Sequence, residues 1–351
     1  MTLTTSWAAA DAPAPVAASP GPWTAQHDRL HRLRIRFAAE DRQCHEALQP
    51  LLAPFPLARC AADEGPPDLR IALTRAPSAL PHPPASALAE TLFGLHIADA
   101  GPRTWVWDDT AVFRTHPEAG VGRLTLGPAF SGRPLSDRHN LFLTGLFPLL
   151  LARGYYDLHA AGVVRQERGY LLLGESGSGK STTALALVEA GWHYLSDDAV
   201  LLHAAAPGVE AIGFRRPFSI DPSHAERWPS LAKHLEAPGS AGESKRFLDP
   251  DSVYGPQRRR AAMRPSVLLF TTVADQRESR VSPLDPAAAL ARLIPQSASL
   301  AFNRRSARSQ LDTLRRLVEQ TRAYALQAGR DVLVEPERLA ALLAGLPSGE
   351  D

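Results

Sequence analysis

Residues 174–182 read Gly-Glu-Ser-Gly-Ser-Gly-Lys-Ser-Thr. Three glycines, a lysine and four hydroxyls at this spacing suit one kind of chemistry, the holding of phosphate. Glycines let successive backbone N–H groups turn toward an anion, and a helix that starts there adds its dipole. The run satisfies G-x-x-x-x-G-K-[ST], in which Lys180 reaches the β- and γ-phosphates and the Ser181 hydroxyl sits on Mg²⁺. Gly174, Glu175, Ser176, Gly177, Ser178, Gly179, Lys180, Ser181 and Thr182 are therefore the expected binding residues for a nucleoside triphosphate, with ATP and Mg²⁺ as the expected cofactors. Two further features flank the loop: His159 upstream, and the adjacent acids Asp197 and Asp198 downstream. Phosphoryl transfer needs phosphate positioning, a metal and a base for the incoming hydroxyl. The pair Asp197/Asp198 can divide the last two tasks. His159 could hold phosphate or polarise the acceptor, or be no more than a satisfied hairpin histidine.

The elements that must position these groups are legible on either side. Residues 170–173, Tyr-Leu-Leu-Leu, form a short apolar run expected as a buried strand, and residues 182–190 are rich in Ala and Leu and expected as a helix. Residues 158–164 are expected as the strand before, joined to the loop strand by the polar turn 165–169. Gly191 ends the helix, and residues 192–195 form another strand that delivers Asp197 and Asp198 at or near its end. Two adjacent acids in apolar sequence are costly unless a cation compensates them; Mg²⁺ and Lys180 are the candidates.

Composition narrows the class. The chain has 351 residues, with Lys+Arg 38 against Asp+Glu 37. Near-neutrality argues against a general nucleic-acid binder, so no nucleic-acid partner is expected. Cys44 and Cys60 make no disulfide framework or metal pattern, as expected of reduced thiols in a cytoplasmic protein. The longest apolar run, 141–152, is interrupted by Pro148 and too short to span a bilayer, so no membrane association is expected. Residues 1–24 are Ala/Pro/Ser-rich without a basic start, which reads as a disordered tail and not a signal peptide.

Between residues 25 and 135 apolar residues alternate with polar ones in short runs, as in Leu33, Ile35 and Phe37, or Leu69, Ile71 and Leu73. Further strand-like runs at 104–107, 111–114 and 123–126 are separated by Asp-Asp and Gly turns, so a β-rich N-terminal lobe built on an antiparallel sheet is expected. Nothing in it looks catalytic, and its tryptophans read as packing. A helix over 137–152, capped by Ser136 or Asp137, leads into a second lobe over 136–346. There, a strand over 266–270, helices over 286–294, 311–321 and 336–346, and a strand over 324–326 complete an α+β or α/β chain.

Three stretches together resemble the core of HPr kinase/phosphorylase: Leu-His-Ala-Ala-Gly-Val-Val at 158–164, the glycine loop at 174–182, and Ser-Asp-Asp-Ala-Val at 196–200. The resemblance implies a P-loop kinase domain of the fold shared with ATP-dependent PEP carboxykinase, and a protein serine as acceptor. It places His159, Lys180, Asp197 and Asp198 in the active site. Asp198 is then the proton acceptor, Ser181 a metal ligand, and Asp197 a support for the metal. Lys245 and Arg246, or Arg258, Arg259 and Arg260, are candidates for transition-state charge. The family's second metal-binding glutamate has no counterpart in residues 215–221, and the N-terminal lobe matches nothing in the authentic regulator. The chain thus resembles the peptide-tailoring kinases of lasso-peptide-type pathways, with a protein or peptide carrying an acceptor serine as partner. HPr itself and the reverse phosphorylase reaction are not expected, whereas a homo-oligomer is compatible with the family.

Two other classes compete. Small-molecule kinases of the shikimate or gluconate type share the loop and a following aspartate, but usually begin with the loop strand and lack the 158–164 stretch. A nucleotide-binding sensor without transfer activity would need no base, which His159, Asp197 and Asp198 supply. Transporter ATPases and G proteins are excluded by the absence of an LSGGQ-like signature and an NKxD-like base reader.

Overall fold

The computed structural model describes residues 25–84, 89–92, 94–221, 228, 231, 233–236, 246–297, 299–302 and 305–348. The tail expected over 1–24 and Lys245 lie outside the described residues. The chain divides into two compact units, one of Met1–Ala53 with Leu57–Leu149, the other of Pro54–Pro56 with Leu150–Asp351. Both parallel and antiparallel strand pairs occur among helices, a mixed fold of the α+β kind.

The first unit carries β1 (Gln26–Leu30), β2 (Leu33–Ala39), α1 (Arg42–Leu52), β3 (Leu57–Arg59), β4 (Leu69–Arg75), β5 (Ala89–Leu92), β6 (Leu95–Ala100), β7 (Arg103–Trp107), β8 (Ala111–His116), β9 (Val121–Leu126) and most of α2 (Leu135–Leu151). Its nine strands lie in the order β3-β1-β2-β4-β9-β8-β7-β6-β5. The sheet is mixed, and the wholly antiparallel expectation is corrected. β2 and β4 are parallel, as are β4 and β9. A parallel neighbour needs a long crossover; α1 lies within one and the β5–β8 hairpins within the other. Alternation of apolar residues is the same for either direction, so sequence could not choose.

Ile35, Phe37, Leu69, Ile71, Phe113 and Leu124 are buried. Phe142 of α2 stacks on Phe113 at 5.7 Å between ring centroids. Gly145 permits this approach, since a Cβ there would lie 2.2 Å from the Phe113 ring. α2 begins at Leu135, ahead of the expected cap, and groups with the first unit as far as Leu149. Asp41 caps α1 by accepting from the Cys44 N–H at 2.8 Å. Burial, with Asp41 beside it, pushes the Cys44 thiol up to about 12, so it stays protonated and inert.

The second unit carries β10 (Tyr155–Leu158), β11 (Ala160–Arg165), β12 (Arg168–Leu173), α3 (Lys180–Glu189), β13 (His193–Ser196), β14 (Val200–Ala205), β15 (Gly208–Gly213), β16 (Phe218–Ile220), β17 (Leu235–Glu236), β18 (Arg246–Leu248), α4 (Pro250–Tyr254), β19 (Ala262–Met263), β20 (Pro265–Val273), β21 (Arg280–Leu284), α5 (Pro286–Leu293), α6 (Ser299–Phe302), α7 (Ala307–Gln320), β22 (Arg322–Ala328), α8 (Asp331–Val334) and α9 (Pro336–Ala344). Six strands form the sheet β13-β11-β12-β20-β22-β21, four form β10-β14-β15-β19, and three form β16-β18-β17. β12 and β20, and β20 and β22, are parallel. Tyr170 and Leu172 pack into one buried cluster with α3 and α9. Leu171 and Leu173 pack into another with β14, α5 and α7. Burial on both faces is why this strand reads as an unbroken apolar run.

The expected single strand over 158–164 is instead two. β10 pairs with β14 in the four-stranded sheet, and β11 pairs with β12 and β13 in the six-stranded one. His159 is the residue between them, and its N–H donates to the Gln296 carbonyl at 2.7 Å instead of to a ladder partner. The chain makes the same crossing again from β13 to β14, with Asp197, Asp198 and Ala199 as the link. Among the described residues no helix is long and apolar enough to cross a membrane.

Candidate functional site

The loop between β12 and α3 has the backbone that its glycines predict. Gly174 has φ +144°, Gly177 +82° and Gly179 +90°. At Gly174 a Cβ would stand 2.6 Å from Ser178 Oγ and 2.8 Å from the Thr271 carbonyl oxygen, so no larger residue fits. Ser178 Oγ lies 3.2 Å from Thr271 Oγ1, which donates to the Leu173 carbonyl at 3.1 Å and ties the loop to β20. Gly179, left-handed, is the N-cap of α3, and the helix begins at Lys180, two residues ahead of expectation. Its first turn carries no acid that would oppose an anion.

Lys180 is 6% exposed, and its Nζ donates to the carbonyls of Gly174 at 2.8 Å and Glu175 at 3.1 Å. The ammonium is thus held at the loop by acceptors that a phosphate oxygen can replace. A cavity of about 540 Å³ opens over the loop. His159, Ser176–Thr183, Asp197 and Asp198 line it, together with Arg216, Pro217, Ser219 and Asp221. An apolar wall is made by Phe247, Val273, Ala328, Val332 and Leu333. That volume and polar–apolar division match the size and lining of small-ligand sites.

The two acids are in different surroundings. Asp197 is 1% exposed, with Oδ2 accepting from the Ser219 N–H at 2.9 Å. Its Oδ1 is buried without a hydrogen-bond partner. Burial pushes its carboxyl up to about 6, although the Ser219 N–H, the Ser181 hydroxyl and Lys180 pull the other way. Asp198 is half exposed and faces His159, with Nδ1 3.3 Å from Oδ1. Burial lowers the His159 pKa below its usual value, Asp198 opposes the shift, and Lys180 and Arg216 add to it. At neutral pH the imidazole is therefore neutral, and Nδ1–H is placed to donate to Asp198.

The residues fit a hydrated Mg²⁺. Among the described residues no group of three or more His, Cys, Asp or Glu side chains is placed to hold a metal. Mg²⁺ in phosphate sites is commonly held by one or two carboxylates plus phosphate oxygens and water. Asp197, with its orphaned buried Oδ1 and with the Ser181 hydroxyl near its carboxyl, meets that need.

The expected site residues thus meet around one cavity, while the basic clusters do not. Arg258 donates to the Gly191 carbonyl, Arg259 pairs with Asp251 at 3.4 Å, and Arg260 approaches Glu167 at 3.8 Å. They brace β13 and its turn. The charge that sequence reasoning missed is Arg216, in the stretch 215–221 that resembled nothing. Its guanidinium stands 5.7 Å from the centroid of the Phe214 ring and makes no ion pair among the described residues. Proline following arginine, which restricts the backbone of both residues, was the available signal.

No protein-family model matches the chain, and no curated protein matches it. Among solved structures, the Hpr(Ser) kinase/phosphatase from Coxiella burnetii is similar over 36% of this chain and 77% of that chain, at 18% identity and a TM-score of 0.24.

Proposed function

We propose that this chain is an ATP- and Mg²⁺-dependent kinase that moves the γ-phosphoryl group to a serine hydroxyl of a protein or peptide. The observation that carries the reading is the His159–Asp198 pair at the cavity over the glycine loop. Holding a nucleotide needs the loop and Lys180; it does not need a half-exposed carboxylate oriented by a histidine.

Loop N–H groups and Lys180 hold the β- and γ-phosphates, and the apolar wall accommodates the base. Ser181 Oγ and Asp197 would hold Mg²⁺, which would supply positive charge against the phosphates during transfer. His159 donates Nδ1–H to Asp198 and fixes its carboxylate. As the acceptor serine Oγ bonds to the γ-phosphorus, the bond from that phosphorus to the β–γ bridging oxygen breaks and ADP leaves. Asp198 takes the serine proton. Arg216 offers a cation to charge developing on the transferred group. The different exposure of the two acids favours this division: the buried one anchors, the exposed one meets the acceptor.

The resemblance in sequence to HPr kinase/phosphorylase and to peptide-tailoring kinases supports serine as the acceptor. The test is intact-mass analysis of candidate peptides incubated with the protein, ATP and Mg²⁺. One added phosphoryl group, mapped to serine, is expected. ATP binding without transfer to any peptide, protein or small hydroxyl compound would favour the sensor class instead.

A further inference from the structure

We propose that the nine-stranded sheet of the first unit carries a binding groove for an acidic polypeptide segment. Arg36, Arg70, Arg103, Arg114, His116 and Arg123, from five different strands, line one groove. Its floor is small and apolar, with Ala38 and Ala72. The whole chain carries a net charge of only +1, so this concentration is local.

The register makes the arrangement costly. Arg36 stands opposite Arg70 on the parallel pair β2/β4, and Arg114 stands opposite Arg123 on β8/β9. Like charges directly opposite each other weaken a sheet. The same sheet shows how such a pair is normally compensated. Arg29 stands opposite Arg34 on β1/β2, and there Glu64 gives its carboxylate to Arg29 and its carbonyl to Arg34. Among the described residues no carboxylate pairs with Arg36, Arg70 or Arg123. The guanidinium groups of Arg36, Arg70 and Arg123, uncompensated among the described residues, make a site awaiting anions from outside the unit.

The shape and lining select the anion. Guanidinium forks bind carboxylates in bidentate fashion, and an extended peptide presents carboxylates along one edge. Single-stranded nucleic acid is held by aromatic faces that stack on bases. Among the described residues the groove has no Phe, Tyr or Trp in its lining. The neighbouring Trp105 is 5% exposed and covered by Arg114, whose guanidinium lies 5.2 Å from the ring centroid. The inference does not depend on the phosphoryl-transfer reading.

Fluorescence anisotropy with a labelled deca-glutamate peptide tests it on the full chain. The parent is expected to bind at low salt and to weaken as salt screens the contact. Arg70→Ala/Arg123→Ala should weaken binding about tenfold or more, equivalent to ~1.4 kcal/mol. Arg70→Lys/Arg123→Lys keeps charge and packing arm and should lose less. Arg315→Ala/Arg316→Ala, on α7, should bind like the parent. A parent that does not bind the peptide, a groove variant that binds like the parent, equal loss in the α7 control, or tighter binding of a ten-nucleotide oligothymidylate would each overturn the proposal.

Discussion

His159 Nδ1 stands 3.3 Å from Asp198 Oδ1, and each residue lies where the chain leaves one sheet for another. The pairing of β10 with β14 and of β11 with β13 brings the two crossings side by side. Leu158 is opposite Val200 in one sheet, and Gly162 opposite Ser196 in the next. Between these registers the two crossings make no ladder pair with each other, although Ala160 and Ala161 still pair with β12, and His159 and Asp198 meet at the cavity over the glycine loop. If this relationship orients the base, His159→Ala should lower kcat for transfer by about tenfold or more while leaving KM for ATP little changed. A rise in KM alone would make His159 a binding residue.

Asp197 gives a prediction about stability. Its carboxyl titrates near 6 in the fold, against an ordinary 3.8, because burial penalises the charged form. The native state therefore binds a proton more readily than the unfolded chain between those values. Stability from this group is present below about pH 4 and lost as pH rises through about 6, a change on the order of 3 kcal/mol. Asp197→Asn removes the penalty, so in Mg²⁺-free buffer it should melt higher than the parent above about pH 6, with the gap closing toward pH 4. The same variant should lose Mg²⁺-dependent activity. A melting difference that does not change with pH would contradict the buried-carboxylate account.

Gly174 tests the cradle. Its φ of +144° and the 2.6 Å approach of Ser178 Oγ to a would-be Cβ leave no room for a side chain. Gly174→Ala should cost about 1–3 kcal/mol of stability and weaken ATP binding, read by thermal melting and calorimetry. Wild-type ATP affinity in this variant would mean that the loop is not the phosphate site.

Arg216→Ala should slow transfer by about 10²-fold, with ATP affinity reduced far less, if its charge acts mainly on the transferring group. Single-turnover kinetics separates the two effects. Equal loss of binding and rate would place Arg216 on the ground-state nucleotide.

The sequence made the loop, its strand and its helix readable because each has a local signature: glycines needing positive φ, an unbroken apolar run, and an Ala/Leu-rich stretch. The convergence of His159 and Asp198 was readable only through the resemblance. Nothing in residues 158–164 marks the break at His159, since both halves are apolar and the switch depends on partners far along the chain. Arg216 was missed for the same reason: its place at the cavity follows from the Ser219–Asp197 hydrogen bond at 2.9 Å, a contact between residues 22 apart in sequence. Parallel pairing in the first unit was hidden because alternation does not encode strand direction.

The central claim is that Asp198 accepts the proton of a serine hydroxyl during phosphoryl transfer. Asp198→Asn preserves size and the ability to accept from His159 but cannot take that proton. ATP binding and acceptor phosphorylation should be measured side by side in this variant and the parent. The account predicts ATP affinity near that of the parent and transfer slower by about 10²–10⁴-fold. Transfer at the parent's rate would contradict it.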